Sequence, residues 1–207
     1  MREISKLSQE QRMLLMMASR MLDYPDDEVR GVLQEWEVRI DEYIPSLMQQ
    51  LMMRKALQAL LAMRPIDWQE TYVETFDYSE KTSLYVTSHE LGDSRERGVA
   101  LLELKYMVEA AGFTQLSAEL SDYIPMLFEY CAVVPDGDLD DTLVHRLALV
   151  TRQIRSHLED DHLYAGVFDL LLQFVFGATW GSEDVEDPGY RRESADLEPL
   201  PYPLLYQ

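Results

Sequence analysis

The chain has 207 residues, enough for one sizeable domain, and its apolar share of 47% supports a real hydrophobic core. Against 18 bases stand 38 acids, a formal net charge of −20; this field repels phosphate backbones and anionic lipid, which argues against nucleic-acid binding and stable membrane association. One cysteine, Cys131, excludes an internal disulfide and a cysteine-rich metal site; with no N-terminal signal pattern and no apolar run long enough to span a bilayer, a reducing cytoplasm is the expected compartment.

The first predicted helix runs over residues 8–22, where Leu14, Met17, Met21 and Leu22 recur at helical spacing and Ser8 with Gln11 forms a capping-box pattern. Tyr24-Pro25-Asp26-Asp27 breaks it and starts a second helix with Val29, Val32, Leu33, Trp36 and Ile40 as its buried stripe. Pro45 opens a third, SLMQQLMMRKALQALLAM, which ends before Arg64-Pro65. Asp67 and Glu70 repeat the capping-box spacing, and Trp68, Tyr72 and Phe76 line one face of a fourth helix at i, i+4, i+8. The pattern then lapses until Asp93, a loop of about sixteen residues, long enough to suggest function. Further helices are expected over residues 94–111, 121–133, 140–159 and 163–177. The fold class is therefore all-α, a single-domain bundle of about seven or eight helices over residues 1–179. Residues 180–207 are acidic and proline-rich without a periodic stripe, and they read as a disordered tail.

Chemistry-bearing motifs are sparse. There is no GxSxG, no GxGxxG and no P-loop, and paired carboxylates carry little information in so acidic a chain. His157 and His162 flank Glu159, Asp160 and Asp161, which reads as a solvated helix end rather than a metal site. No catalytic residue, metal or cofactor is expected. The 11 methionines, many in the first and third helices, fill a core or line an adaptable apolar groove for a peptide.

The stretch HELGDSRERG, residues 89–98, concentrates unusual chemistry. Asp93 is placed as an N-cap with Glu96 three residues on, and Gly92 can supply a positive φ before it. Gly98 lies inside the helix, at a cost of roughly 1 kcal/mol relative to alanine, which predicts a close packing contact there. Arg95 and Arg97 oppose the helix dipole in the first turn, so acids from the loop or another helix are expected to hold them. Gly92, Asp93, Arg97 and Gly98 thus form a candidate structural clamp on the long loop, while Arg95 is the better candidate for a ligand contact.

The block YVETFDYSEKTSLYVTSHELGDSRERGVALLELK and the later ELSDYIPMLFEYCAVVP resemble the NarJ family, assembly chaperones (also called delta subunits) of respiratory nitrate reductase. SRMLDYPDDEV near the N-terminus and YAGVFDLLLQF near the end agree in order, so the similarity covers about residues 10–177. The broader family includes the TorD-type chaperones, which are all-helical. The resemblance implies a cytoplasmic, non-catalytic protein that binds the N-terminal segment of the catalytic (alpha) subunit and holds it competent to receive the molybdenum cofactor. It also admits the proteins that make and insert that cofactor as partners. In the family pattern E-L-P-D-H-L-P, Glu119, Leu120, Asp122 and Pro125 match, whereas Ser121 stands where proline is usual and Tyr123 where histidine is. Tyrosine keeps an aromatic face and a hydrogen bond but carries no charge that changes near neutral pH.

The candidate contacts for the partner segment are Tyr72, Phe76, Asp77, Leu84, Tyr85 and His89 from the first block and Arg95 beside the cap. Glu119, Asp122, Tyr123, Pro125 and Phe128 come from the second block. Two rival readings follow from the same residues. One is an enzyme that uses His89, Asp93, Glu119 and Asp122 as a metal or acid–base site. The other is a permanent structural subunit of the reductase.

Overall fold

Helix α1 (Gln9–Met21) begins on the capping box the sequence predicts: the Gln11 N–H donates to Ser8 Oγ at 3.2 Å, and the Ser8 N–H donates to the Gln11 side chain at 2.9 Å. The computed structural model describes residues 6–115 and 119–177, so the expected tail over residues 180–207 lies outside the described residues. Helix α2 (Asp27–Tyr43) is capped by the Asp26 carboxylate, which accepts from the Val29 N–H at 2.8 Å, and it buries Val29, Leu33 and Ile40. Helix α3 (Leu47–Leu61) ends with the Leu61 and Met63 carbonyls accepting from the Arg30 guanidinium at 2.8 and 3.1 Å, a charge-assisted termination of that helix by its neighbour.

Helix α4 (Pro65–Tyr72) starts differently from the expected Asp67/Glu70 capping box. Pro65, with φ already set for a helix and no N–H to satisfy, occupies the first turn. Asp67 is therefore inside the helix, and its carboxylate takes both arms of the Arg64 guanidinium at 2.5 Å. A π-helical turn, Val73–Asp77, follows directly.

The stretch expected as one long loop is also divided. A short helix α5 (Val86–Leu91) lies inside it, before α6 (Glu96–Ala110). Helices α7 (Ile124–Val133), α8 (Asp141–Ser156) and α9 (Ala165–Phe174) complete nine α-helices among the described residues, one or two more than expected. Among those residues no strand is present beyond one isolated bridge, and no helix is long and apolar enough to cross a membrane.

Helix α1 lies at the centre, packed on α7, α2 and α9; α3 and α8 both pack on α9, and α5 bridges α6 and α8. Arg146 on α8 holds Glu90 on α5 through two bonds of 2.7 Å, which fixes the short helix on the bundle. Most methionines of the first and third helices are core or half-buried: Met17, Met21 and Met53 are fully buried, Met13, Met52 and Met63 pack against the core, and Met48 is exposed. The core-filling reading is the one the packing matches.

The stripe predicted for the fourth helix is buried, and it organises what lies above it. The Trp68 indole N–H donates to the Tyr164 hydroxyl at 2.8 Å. Phe76 meets Tyr164 with ring centroids 4.7 Å apart and Tyr72 at 5.1 Å, both edge-on. This aromatic cluster joins α4 and the π turn to α9.

Candidate functional site

Two segments far apart in sequence are knitted together by main-chain bonds. The Val86 N–H donates to the Asp122 carbonyl at 3.0 Å and the Ile124 N–H donates to the Leu84 carbonyl at 2.8 Å, an antiparallel bridge pairing Tyr85 with Tyr123. The side chain of Asp122 is fully buried beneath this bridge. Its Oδ2 accepts from the Thr87 N–H at 3.1 Å and from the Thr87 hydroxyl at 2.5 Å. Arg97 reaches the same oxygen at 3.8 Å and donates from Nε to Thr87 Oγ1 at 3.1 Å. Ser121, standing where the family pattern has proline, donates from Oγ to the Leu101 carbonyl at 2.6 Å and ties the segment to α6.

The remaining residues of residues 89–98 behave unequally. Burial pushes the His89 imidazole down, favouring its neutral form, and Nε2–H donates to the Ser83 carbonyl at 2.7 Å, stapling the loop to α5. Gly92 has φ +58° at the end of α5, as the sequence suggests. Asp93 is not the N-cap: helix α6 starts at Glu96, and the Asp93 carboxylate is fully exposed, 3.9 Å from Arg97. The sharp turn at Gly92 precedes α6, which starts two residues later than expected, and Asp93 lies off the helix end. No atom lies within 4 Å of a Cβ built on Gly98, so the close packing expected there is absent; that position faces solvent. Arg95 is exposed and makes no ion pair among the described residues.

Above the bridge is a cavity of about 140 Å³ lined by Tyr24, Tyr72, Asp77, Leu84, Tyr85, Glu119 and Tyr123. Six of these seven are residues named from the sequence; Tyr24 is the addition, and its signal is the LDYPDD break between the first two helices. Leu84, Tyr72 and Tyr123 are buried and form the floor, while Tyr24, Asp77 and Glu119 are exposed at the mouth. The Tyr72 and Tyr123 hydroxyls lie 2.9 Å apart, and Tyr123 also reaches Asp23 Oδ1 at 3.2 Å. The Tyr85 hydroxyl donates to Glu119 Oε2 at 2.6 Å. Burial pushes the Tyr72, Tyr85 and Tyr123 hydroxyls up, so all three stay neutral donors at physiological pH.

Partial desolvation, and then the charge of Glu119, hold the Asp77 carboxyl above the ordinary range. The folded state therefore binds this proton more tightly than the unfolded chain, and the ionised form costs stability at neutral pH, a cost relieved as pH falls. Asp77→Asn is accordingly expected to leave the melting temperature unchanged or raised at pH 7, with the difference shrinking in acid. A melting temperature lowered by the substitution at pH 7 would show that Asp77 holds the fold rather than the cavity mouth.

A second, larger cavity of about 330 Å³ adjoins the first through Tyr123 and Glu119 and is more apolar, with Val108, Phe113, Pro125, Met126, Tyr130 and Val133 in its walls. Pro125 belongs here. Phe76 and Phe128 are in the core, 3% and 0% exposed, where they support the cavities from below. Arg95 lines neither cavity. His89, Asp93, Glu119 and Asp122, the set an enzyme reading needs, do not converge: one is on a carbonyl, one in solvent, one on Tyr85 and one buried under Thr87. Among the described residues no three His, Cys, Asp or Glu side chains are grouped to hold a metal ion.

Residues 25–165, which contain most of both cavities, match the family model described as nitrate reductase delta subunit. Over 155 residues the chain is 33% identical to the probable nitrate reductase molybdenum cofactor assembly chaperone NarJ of Bacillus subtilis, covering 74% of this chain and 83% of that one. It is 32% identical over 166 residues to the nitrate reductase molybdenum cofactor assembly chaperone NarJ of Escherichia coli, covering 78% and 69%. A probable chaperone of the same description, NarW of Escherichia coli, is 28% identical over 175 residues, covering 83% and 71%.

Proposed function

Because the chain belongs to the nitrate reductase delta-subunit family, we propose that it is an assembly chaperone that binds the N-terminal segment of the nitrate reductase catalytic subunit. It holds that subunit competent for molybdenum cofactor insertion, and it acts in the cytoplasm, before the subunit joins its partners. The observation that carries this reading is a coincidence of two independent facts. The two blocks that resemble the family are the ones the Tyr85–Tyr123 bridge brings together, and cavities open on that junction. A helical protein with adjoining apolar and acidic cavities suits an amphipathic basic segment, with apolar side chains supplying affinity and the field of the −20 chain supplying approach rate and orientation.

Capture of the tagged full chain from cells, with identification of bound proteins, is expected to recover the immature catalytic subunit and not the finished reductase. Recovery of the chain as a stoichiometric part of the mature enzyme would favour the permanent-subunit reading instead. In calorimetry, a synthetic peptide of the catalytic subunit's N-terminus is expected to bind at micromolar or better dissociation constant. Binding should weaken several-fold between about 0.01 M and about 0.3 M salt, because the screening length shrinks from roughly 30 Å to about 6 Å over that range. Salt-independent binding would remove the electrostatic half of the reading.

A further inference from the structure

The cavity at the bridge joins two properties that disfavour an anionic or neutral occupant. Two carboxylates, Asp77 and Glu119, stand at one mouth; among the described residues neither forms an ion pair with a Lys or Arg, and no Lys or Arg lines the cavity. Around them are four tyrosines, Tyr24, Tyr72, Tyr85 and Tyr123, whose ring faces and hydroxyl oxygens both carry partial negative charge. An anion would be repelled here, and a neutral apolar group would desolvate two carboxylates without pairing either. Among the described residues no third carboxylate or histidine completes a metal-binding group with them. An organic monocation answers both deficits, since it pairs with the carboxylates and lies against aromatic rings.

Size narrows the choice further. About 140 Å³ suits the end of one lysine or arginine side chain and is too small for a helix; an aromatic ring would fit by size but would desolvate both carboxylates without supplying a charge to pair them. We infer that this tyrosine-walled cavity is the anchor subsite for a single basic side chain of the bound segment, gripped by Asp77 and Glu119. This deepens the chaperone reading and rests on it for the identity of the segment. The neighbouring 330 Å³ cavity, with Phe113, Met126 and Val133, then takes the apolar side chain that follows. Tyr123 sits on the shared wall of the two and sets the spacing between anchors.

Desolvation and the charge of Glu119 raise the Asp77 proton affinity, so a positive charge brought to this mouth would be stabilised there. Neutralising exposed Asp77 and Glu119 leaves the main-chain bonds of the bridge and the Asp122, Thr87 and Arg97 contacts below it in place, and Gln at position 119 keeps an oxygen that can accept from the Tyr85 hydroxyl.

The test has two arms on the full chain and on the D77N/E119Q variant. In the first, n-butylammonium and n-butylguanidinium are titrated against isotope-labelled protein, with n-butanol as the neutral control. The cations are expected to move the ring signals of Tyr72, Tyr85 and Tyr123 in the wild type, and at least about tenfold less readily in the variant, while n-butanol moves neither. In the second, the N-terminal peptide of the catalytic subunit is compared with versions in which each Lys or Arg in turn is replaced by Gln. One position alone is expected to lose about tenfold in affinity against the wild type and to lose nothing further against the variant, the mark of direct coupling. Cations that leave the tyrosine signals unmoved, or move them equally in the variant, overturn the inference. If the cations act on the wild type but no peptide binds, the cation subsite stands and the proposed partner is wrong.

Discussion

Arg97→Ala is expected to lower stability by about 3 kcal/mol, at the low end of what breaking one side of a buried charged pair costs. The physical cause is Asp122, a carboxylate with no exposed surface whose Oδ2 relies on Thr87 and Arg97, and whose Oδ1 has no hydrogen-bond partner among the described residues. Removing the guanidinium leaves this charge under the Tyr85–Tyr123 bridge with only the Thr87 donors to offset it. For a domain of this size the melting temperature should fall by about 6–12 °C. Arg95→Ala, by contrast, removes an exposed group and should stay within about 0.5 kcal/mol of the wild type. Asp93→Asn is the internal control, because its fully exposed carboxylate at 3.9 Å is a surface pair worth little. Equal destabilisation by the Arg95 and Arg97 variants would mean that the charge of the first turn matters and the buried contact does not. The bridge positions both blocks of the candidate site, so if the proposed peptide binds there, the Arg97 variant should bind it weakly, and binding should recover on cooling further below its melting point.

Trp68→Ala should cost about 3–5 kcal/mol, the usual range for a large aromatic removed from a closed core. Trp68 is 1% exposed and its indole N–H satisfies the Tyr164 hydroxyl, which is itself wholly buried. The substitution therefore opens a void and orphans a polar group at once. Trp68→Phe keeps most of the volume and loses only the donor, so about 1–2 kcal/mol is expected from it. Functional consequences should follow the floor of the cavity: Tyr72 packs on Phe76 and Tyr164 at centroid separations of 5.1 and 6.3 Å, and it slackens when Trp68 is gone. Thermal unfolding and peptide titration of both variants measure the two effects together. A Trp68→Ala chain that melts within about 1 kcal/mol of the wild type would show that the aromatic cluster is peripheral to the fold.

Helix class, the Ser8 cap and the buried stripes of α2 and α4 were legible in the residues themselves, because capping and 3.6-residue periodicity act over one or two turns of chain. The six cavity residues from Tyr72 to Tyr123 were legible for another reason: their motifs resemble a family, and a motif names residues without saying where they meet. What local reasoning misplaced lies almost wholly in residues 77–98. Here α5 has a β-branched start, Val86 and Thr87, that local propensity disfavours in a helix, and tertiary bonds from Asp122 and Arg146 hold it in place. Asp93 and Gly98 illustrate the same limit from the other side. Asp93 has the residue type of a cap and Gly98 that of a close contact, but the turn at Gly92 sends the first into solvent, and the second faces open space. An acidic helical bundle could be read from the residues, since charge, capping and periodicity are local or additive properties. Packing of distant segments decided instead that Asp122 is buried under the bridge, that Phe128 is core while Tyr24 lines the cavity, and that among the described residues no Lys or Arg lines it beside the two acids. Those facts depend on which distant segments pack together, and the main-chain pairing of Leu84–Val86 with Asp122–Ile124 is what settles them.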